Sequence, residues 1–165
     1  MTDRDDLLAS LHAGRDKFLS SLDGVTEEQA AAKPVAGWSI LECAEHVAIV
    51  EEFLRRRLME QSTPTGSEMS RDREAFIAAA AANRGRKIQA PAVARPSDRF
   101  ATLSEAVECF CLNRQQTIAY IASCQDDLRR LTTDHPMIGA ASGQEIVILM
   151  MAHPFRHAQQ IQEMR

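Results

Sequence analysis

The chain has 165 residues, of which 45% are hydrophobic and 25% charged, values that are ordinary for one globular domain with a single core. The formal net charge of −4 at pH 7 argues against nucleic acid and anionic membranes as partners. No apolar run approaches the ~20 residues that span a bilayer. The acidic start of the chain does not resemble a secretory signal, so we expect one cytoplasmic domain over residues 1–165.

The first part of the chain predicts one long helix and one short helix. Leucine and phenylalanine recur at three-to-four spacing from about Asp3 to Leu22, a pattern typical of an amphipathic helix. Thr26 and Gln29 then form a capping box, which predicts a short helical turn.

Each of three later helices is predicted to begin with a capping box, a Ser or Thr followed three residues on by Glu. The pairs are Ser39 and Glu42, Thr102 and Glu105, and Ser142 and Glu145. We predict helices that run from these starts to about residue 58, to about residue 131 and to the C-terminus. No segment predicts a β-strand.

About forty residues separate the second and third long helices. An antiparallel hairpin needs only a few residues, whereas this segment can cross the ~30 Å length of a helix and return the chain to the same end. It has polar stretches at 62–70 and 85–97, and its alanine-rich part, roughly Asp72 to Asn83, predicts an extra helix. We therefore expect an all-α, up-down-down-up four-helix bundle with one long crossover.

Two histidines on the last helix have the spacing of metal ligands. His153 and His157 are four residues apart, so their imidazoles project from one face, as in the helical HExxH zinc motif. The glutamate that serves as general base in that motif is missing, which excludes the metalloprotease mechanism. The alternative is a pair of histidines on a polar face or hydrogen-bonded within the core.

His46 adds a third candidate ligand, on the second long helix among small apolar residues. It lies about 10 Å from the start of its helix, and His157 lies about 12 Å from the end of the last helix. If these helices are antiparallel, the three imidazoles lie at similar depth. Three neutral imidazoles leave one open position and suit zinc or nickel, with copper, iron or manganese also possible. His12 and His135 are expected to be solvated.

Three groups of residues resemble the DinB/YfiT-like superfamily of metalloenzymes. They are Gly37-Trp38-Ser39-Ile40 leading to His46, the segment His153-Pro-Phe-Arg-His157-Ala-Gln-Gln160-Ile161, and residues 95–114. The resemblance implies a four-helix bundle, often a homodimer, with one divalent metal ion on His46, His153 and His157. It also implies chemistry with a low-molecular-weight thiol, as in S-transferases and a maleylpyruvate isomerase, or hydrolysis.

Pro154 departs from the family pattern, because it removes an amide donor between the two histidines of the last helix and crowds the carbonyl of Met150. We expect a kink that tilts His153 relative to His157. His153 is therefore the ligand expected to be displaced most easily.

Five other residues are considered for roles around the histidines. Three of them have two interpretations each, and two have one. Glu42 caps its helix or fixes an imidazole, and Gln160 can fix another imidazole. Trp38 lines the pocket mouth or packs as a hydrophobic staple. Arg114 faces the cavity as an anion clamp or snorkels to the surface, and Arg156 is expected to point away from the ligand face.

The leading hypothesis is a metal-dependent enzyme that acts on a small molecule, either a thiol S-transferase or a hydrolase, with one divalent ion per chain. The second is a non-catalytic dimeric bundle that retains the histidines, because no carboxylate general base stands at a fixed spacing from them. The four cysteines lie inside helical patterns and are expected to be reduced and mostly buried.

Overall fold

The computed structural model describes residues 3–86 and 88–165, and its long helices form a bundle. In chain order the helices are α1 (Asp3–Ser21), α2 (Glu27–Ala31), α3 (Ile40–Met59), α4 (Glu74–Ala82), α5 (Leu103–Ser123) and α6 (Gly143–Glu163). Met1, Thr2 and Lys87, the last within the predicted 85–97 loop, lie outside the described residues. Among the helices described, none has both the length and the apolar character needed to cross a bilayer.

The predicted capping boxes set the starts of the helices. At α3, the Ser39 hydroxyl accepts from the Glu42 amide at 3.1 Å, while the Glu42 carboxylate accepts from the Ser39 amide at 2.8 Å. Ser142 and Glu145 form the same reciprocal pair at the start of α6. At α5 the predicted box is only half formed: the Thr102 hydroxyl accepts from the Glu105 amide, but the Glu105 carboxylate accepts from the Ala101 amide. Each cap satisfies amides that have no partner within the helix, which is why these helices begin where the sequence predicts.

The hydrophobic core consists of two clusters, which contain opposite ends of the long helices. The first joins the C-terminal parts of α1 and α6 to the N-terminal parts of α3 and α5; its buried members include Phe18, Ile40, Ala44, Leu103, Phe110 and Ile161. The second joins the other four ends; its members include Leu11, Leu54, Leu58, Ile121, Ile146 and Met150. Hence α1 and α6 run antiparallel to α3 and α5, and the predicted up-down-down-up topology is confirmed.

The crossover over residues 60–102 connects the C-terminal end of α3 to the N-terminal end of α5. Because these ends belong to different core clusters, the crossover traverses the length of the bundle. It contains α4, within the range predicted for the extra helix, and α4 packs against α6. The crossover therefore adds a layer beside the helix that contains His153 and His157.

The prediction that the chain has no strand was wrong, because the described residues form a small antiparallel sheet. Its strands are β1 (Thr63–Pro64), β2 (Leu131–His135) and β3 (Gly139–Ser142), in the order β1-β2-β3. Two β-branched threonines in β2 favour the extended backbone, and Gly139, with φ of 71°, turns the chain into β3. The strands are too short for an alternation of apolar and polar residues to be distinguished from a helical pattern in the sequence.

The predicted end of α5, at about residue 131, was also wrong. The helix ends at Ser123, because the Cys124 backbone is extended (φ −61°, ψ 130°), so Leu128 and Leu131 lie beyond it. His135 is likewise not a solvated loop residue. It belongs to β2 and is half-buried, with its ring 6.1 Å from that of Phe53.

Gly14 permits the close approach of α1 to α6. A Cβ at this position would lie 2.8 Å from the Met151 carbonyl oxygen and 3.6 Å from the Phe155 ring. The nearest atom belongs to the backbone of a packed helix, so it cannot rotate away as the end of a flexible side chain would. The absence of a side chain at Gly14 therefore sets the distance between these helices.

We predict that Gly14→Val lowers the free energy of unfolding by about 1–3 kcal/mol, because overpacking forces the two backbones apart. Chemical denaturation monitored by circular dichroism measures this loss. Gly66→Val is the matched control, since no atom lies within 4 Å of a Cβ at Gly66. Equal stability of the two variants would contradict this account of the α1–α6 contact.

Candidate metal centre

Three imidazoles from two antiparallel helices converge at one point. The Nε2 atom of His153 lies 3.0 Å from Nε2 of His46 and 3.1 Å from Nε2 of His157. The candidate ligand nitrogens all lie within 4.8 Å of one another. The structure thus brings together all three residues that the sequence singled out, although His46 is 107 residues from His153.

The spacing of these nitrogens suits a small divalent ion. Two nitrogen ligands about 2.0–2.1 Å from a tetrahedral zinc ion lie about 3.4 Å apart, close to the separations in this cluster. Helix α6 continues through Pro154, and Nε2 of His153 stays within 3.1 Å of Nε2 on each of the other two imidazoles. The proline therefore does not displace His153 from the group.

Hydrogen bonds outside the cluster orient two of the rings. His46 Nδ1 lies 2.5 Å from the Ala94 carbonyl oxygen, which can only accept, so Nδ1 bears the proton. His157 Nδ1 lies 3.0 Å from Oε1 of Gln160 and donates in the same way. In the neutral tautomers that follow, Nε2 of both His46 and His157 presents a lone pair to the centre.

This donor set fits a cation. His153 Nε2 can carry one proton and donate it to one of the two facing lone pairs, which leaves the other without a partner. An ion between the three nitrogens would use a lone pair from each, and three protein ligands leave a further position open. The same three rings therefore make a poor hydrogen-bonded cluster and a suitable ligand set.

The surroundings keep the histidines neutral. Burial, followed by the charge of His46, lowers the pKa of His157 to about 3. Burial and the two neighbouring imidazoles hold the pKa of His153 well below its usual value, and burial lowers that of His46. Only the neutral form binds a metal, so the lone pairs stay available at neutral pH.

The crossover covers the centre and is tied to both helices that supply it. On α6, the Arg156 guanidinium donates to the backbone carbonyls of Asn83 and Arg86. On α3, the buried Glu45 carboxylate accepts from the backbone amides of Ser97 at 2.7 Å and Arg99 at 3.2 Å. Only 5% of His46 and 5% of His157 is exposed, whereas His153 is partly exposed, so the exposed surface of the centre belongs mainly to His153.

The structure shows the contacts of four supporting residues. Glu42 caps α3 and pairs with Lys33, while Gln160 fixes the His157 ring. Trp38 packs against the first core cluster, and its ring centroid also lies 4.9 Å from that of His46. Both interpretations of Arg114 were wrong, because it is fully buried and pairs with Glu51.

Sequence reasoning missed three groups that shape the centre: the Ala94 carbonyl, Glu45 and Arg156. Any residue can supply a carbonyl, so Ala94 carries no signal in the sequence. Glu45 contacts amides 52 and 54 residues away, and Arg156 contacts carbonyls 73 and 70 residues away. The HPFRH context of Arg156 was visible, but its partners depend on where the crossover lies.

Cys43, one turn before His46 on α3, lies outside the three-histidine group. Its side chain is fully buried, and burial raises the pKa of the thiol to about 12. A protonated thiol is a poor metal ligand and a poor nucleophile. The other cysteines are also free, and Cys124 is buried.

A family model described as the DinB superfamily matches residues 10–161. The chain belongs to the DinB superfamily. Its fold is similar to that of the crystal structure described as "TT2238, a four-helix bundle protein", with a TM-score of 0.61, 22% sequence identity and coverage of 96% of each chain. No curated protein matches this DinB-superfamily chain.

The buried imidazoles make the metal-free DinB-superfamily protein sensitive to acid. The folded state binds fewer protons than the unfolded state below pH 6.5, the ordinary histidine pKa, and for His157 this persists to about pH 3. Stability must therefore fall as the pH falls through this window, by up to about 1.4 kcal/mol per pH unit for each histidine.

Denaturation of the metal-free protein at pH 7 and pH 5 tests this prediction. We expect a lower unfolding free energy at pH 5, and a smaller loss in the variant with glutamine at positions 46, 153 and 157. That variant is the control, because it retains the carboxylates that also titrate. An identical pH dependence in both proteins would contradict the prediction.

Proposed function

We propose that this DinB-superfamily protein is a metal-dependent enzyme that holds one divalent ion on His46, His153 and His157 and acts on a small molecule. One observation carries the proposal. Nε2 of His46 and Nε2 of His157 each direct a lone pair toward Nε2 of His153, at distances of 3.0 Å and 3.1 Å. A closed structural zinc site has four protein ligands, whereas three ligands are typical of a catalytic one.

Zinc or nickel fits the centre best, since the three ligand atoms are all imidazole nitrogens. When bound, such an ion supplies Lewis acidity to a water molecule, a thiol or a carbonyl group. The chain's own ligands are neutral, and the Arg156 guanidinium adds a positive charge nearby, which contributes to lowering the pKa of all three histidines. This balance of charge favours an anionic substrate group at the open position.

The protein's own residues bind the ion, orient the imidazoles and exclude water from the centre. Ala94 and Gln160 hold two imidazoles in the tautomer that faces the centre. Trp38 and the crossover cover it and lower the local dielectric, which strengthens the attraction of an anion. A low-molecular-weight thiol that binds as its thiolate meets these requirements, so an S-transferase is the first reaction class that we propose, and hydrolysis is the second.

A different class of function, a non-catalytic bundle that retains the histidines, is favoured by one observation. No carboxylate joins the three-histidine group among the described residues, so the centre has no acidic side chain to serve as a general base. Homodimer formation, which the resemblance implies, stays a prediction under either function.

We predict that His157→Ala reduces the bound metal from about one ion per chain to near zero, because two imidazoles on different helices bind weakly. Elemental analysis of the purified protein measures the ratio. His12→Ala is the matched control, because His12 is an exposed histidine of α1. Unchanged metal content in His157→Ala would exclude this ligand set.

We predict that the zinc- or nickel-loaded protein conjugates an electrophile with at least one cellular low-molecular-weight thiol, and that His157→Ala does not. Chromatography of the conjugate measures turnover across a panel of thiols and esters. Hydrolysis of an ester without conjugation would select the second reaction class. No turnover at full metal occupancy would favour the non-catalytic bundle.

A further inference from the structure

Pro154 creates a local defect in α6 next to two of the histidines. In an α-helix the amide of residue 154 would donate to the carbonyl of Met150, but proline has no amide hydrogen. Met150 has no exposed surface, so water is not available to replace the missing donor. An unpaired buried carbonyl is destabilising, so a bundle with Pro154 needs another donor at this point.

Arg114 on α5 supplies that donor. Its Nη2 atom lies 2.7 Å from the Met150 carbonyl oxygen. Two further hydrogen bonds fix the direction of the guanidinium, from Nε to Oε1 of Glu51 at 2.6 Å and from Nη2 to Oε2 at 2.8 Å. Nη1 donates to the Leu11 carbonyl oxygen on α1 at 2.7 Å. The planar group is therefore held in one orientation by α1, α3 and α6 together.

The turn that Arg114 contacts is the turn that presents His153. Met150 lies three residues before His153, and Pro154 directly follows His153. The Met151 carbonyl of the same turn meets Gly14 of α1, next to the Arg114 guanidinium. The helix has no hydrogen bond from residue 154 to the Met150 carbonyl. The position of this turn therefore depends on the hydrogen bond from the Arg114 guanidinium.

We propose that Arg114, oriented by Glu51, is a positioning residue for the metal centre, because its guanidinium replaces the hydrogen bond that Pro154 removes and so holds His153 at the distance the ligands require. This inference rests on the proposed function for its metal, but not for the geometry of the histidines. It differs from simple stabilisation in one respect. The effect of Arg114 on the centre depends on whether residue 154 has an amide hydrogen.

The experiment therefore combines changes at Arg114 and Pro154. In Glu51→Met/Arg114→Met both charges leave together, so no unpaired ion is buried. We expect this variant to bind zinc at least about tenfold more weakly than the original protein and to change the visible spectrum of bound cobalt. Adding Pro154→Ala restores an amide donor to Met150, and we expect affinity and spectrum to return to near their original values.

Ile121→Ala controls for a general loss of stability, because Ile121 is a buried residue of α5 outside the contacts of Arg114. Its zinc affinity should be unaffected by Pro154→Ala. If Glu51→Met/Arg114→Met does not fold, Arg114→Lys replaces it, since an ammonium cannot reproduce the four hydrogen bonds, and the same two results are expected. Original affinity without Arg114, or a defect that Pro154→Ala fails to repair, overturns the proposal.

A metal-free measurement separates this inference from the proposed function. Long-range ¹⁵N–¹H spectra of the histidine rings report the environment of His153 in the apoprotein. We expect its signals to shift in the Arg114 variant and to return when Pro154→Ala is added. If the original protein binds no metal, the proposed function fails, and these spectra alone confirm or overturn the role of Arg114.

Discussion

One buried guanidinium contacts all four long helices of the bundle. Arg114 projects from α5, pairs with Glu51 of α3 and donates to backbone carbonyls of α1 and α6. A charge without exposed surface is costly unless it is paired and fully hydrogen-bonded, so the helices cannot slide past one another without losing these bonds. The relative depth of the helices, on which the histidines depend, is therefore set by polar contacts as well as by the apolar core.

The crossover has a topological and a chemical consequence. It makes α3 antiparallel to α6, so His46, near the start of one helix, meets His157, near the end of the other. It also brings the Ala94 carbonyl to the outer nitrogen of His46. The long crossover thus places a candidate ligand and fixes its tautomer.

Much of the fold could be predicted from the sequence, because its determinants are local. Capping boxes span four residues, apolar periodicity spans one helix, and the pair His153 and His157 spans one turn. The depth comparison that linked His46 to that pair needed only helix rise and topology. The small sheet was not predictable in this way, because β1 contains only two residues and pairs with β2 across the chain, while β2 and β3 are too short for their alternation to stand out.

The partners of Arg114, Glu45 and Arg156 escaped prediction for the same physical reason. Each lies far away along the chain, and most are backbone atoms that carry no residue-specific signal. Arg114 shows this most clearly. Its place on the apolar stripe of α5 was visible, but a buried arginine needs a buried acid, and nothing local to Glu51 marks it as that acid.

The buried state of Cys43 has a consequence for the durability of the centre. Thiolate ligands make many metal sites sensitive to oxidants, because sulfur loses electrons and releases the ion. Here the candidate ligand atoms are imidazole nitrogens, and the sulfur one turn from His46 is protonated and out of reach of solvent. A metal ion held by these three imidazoles would therefore respond to the supply of the ion and to acidity, and would be insulated from the redox state of its surroundings.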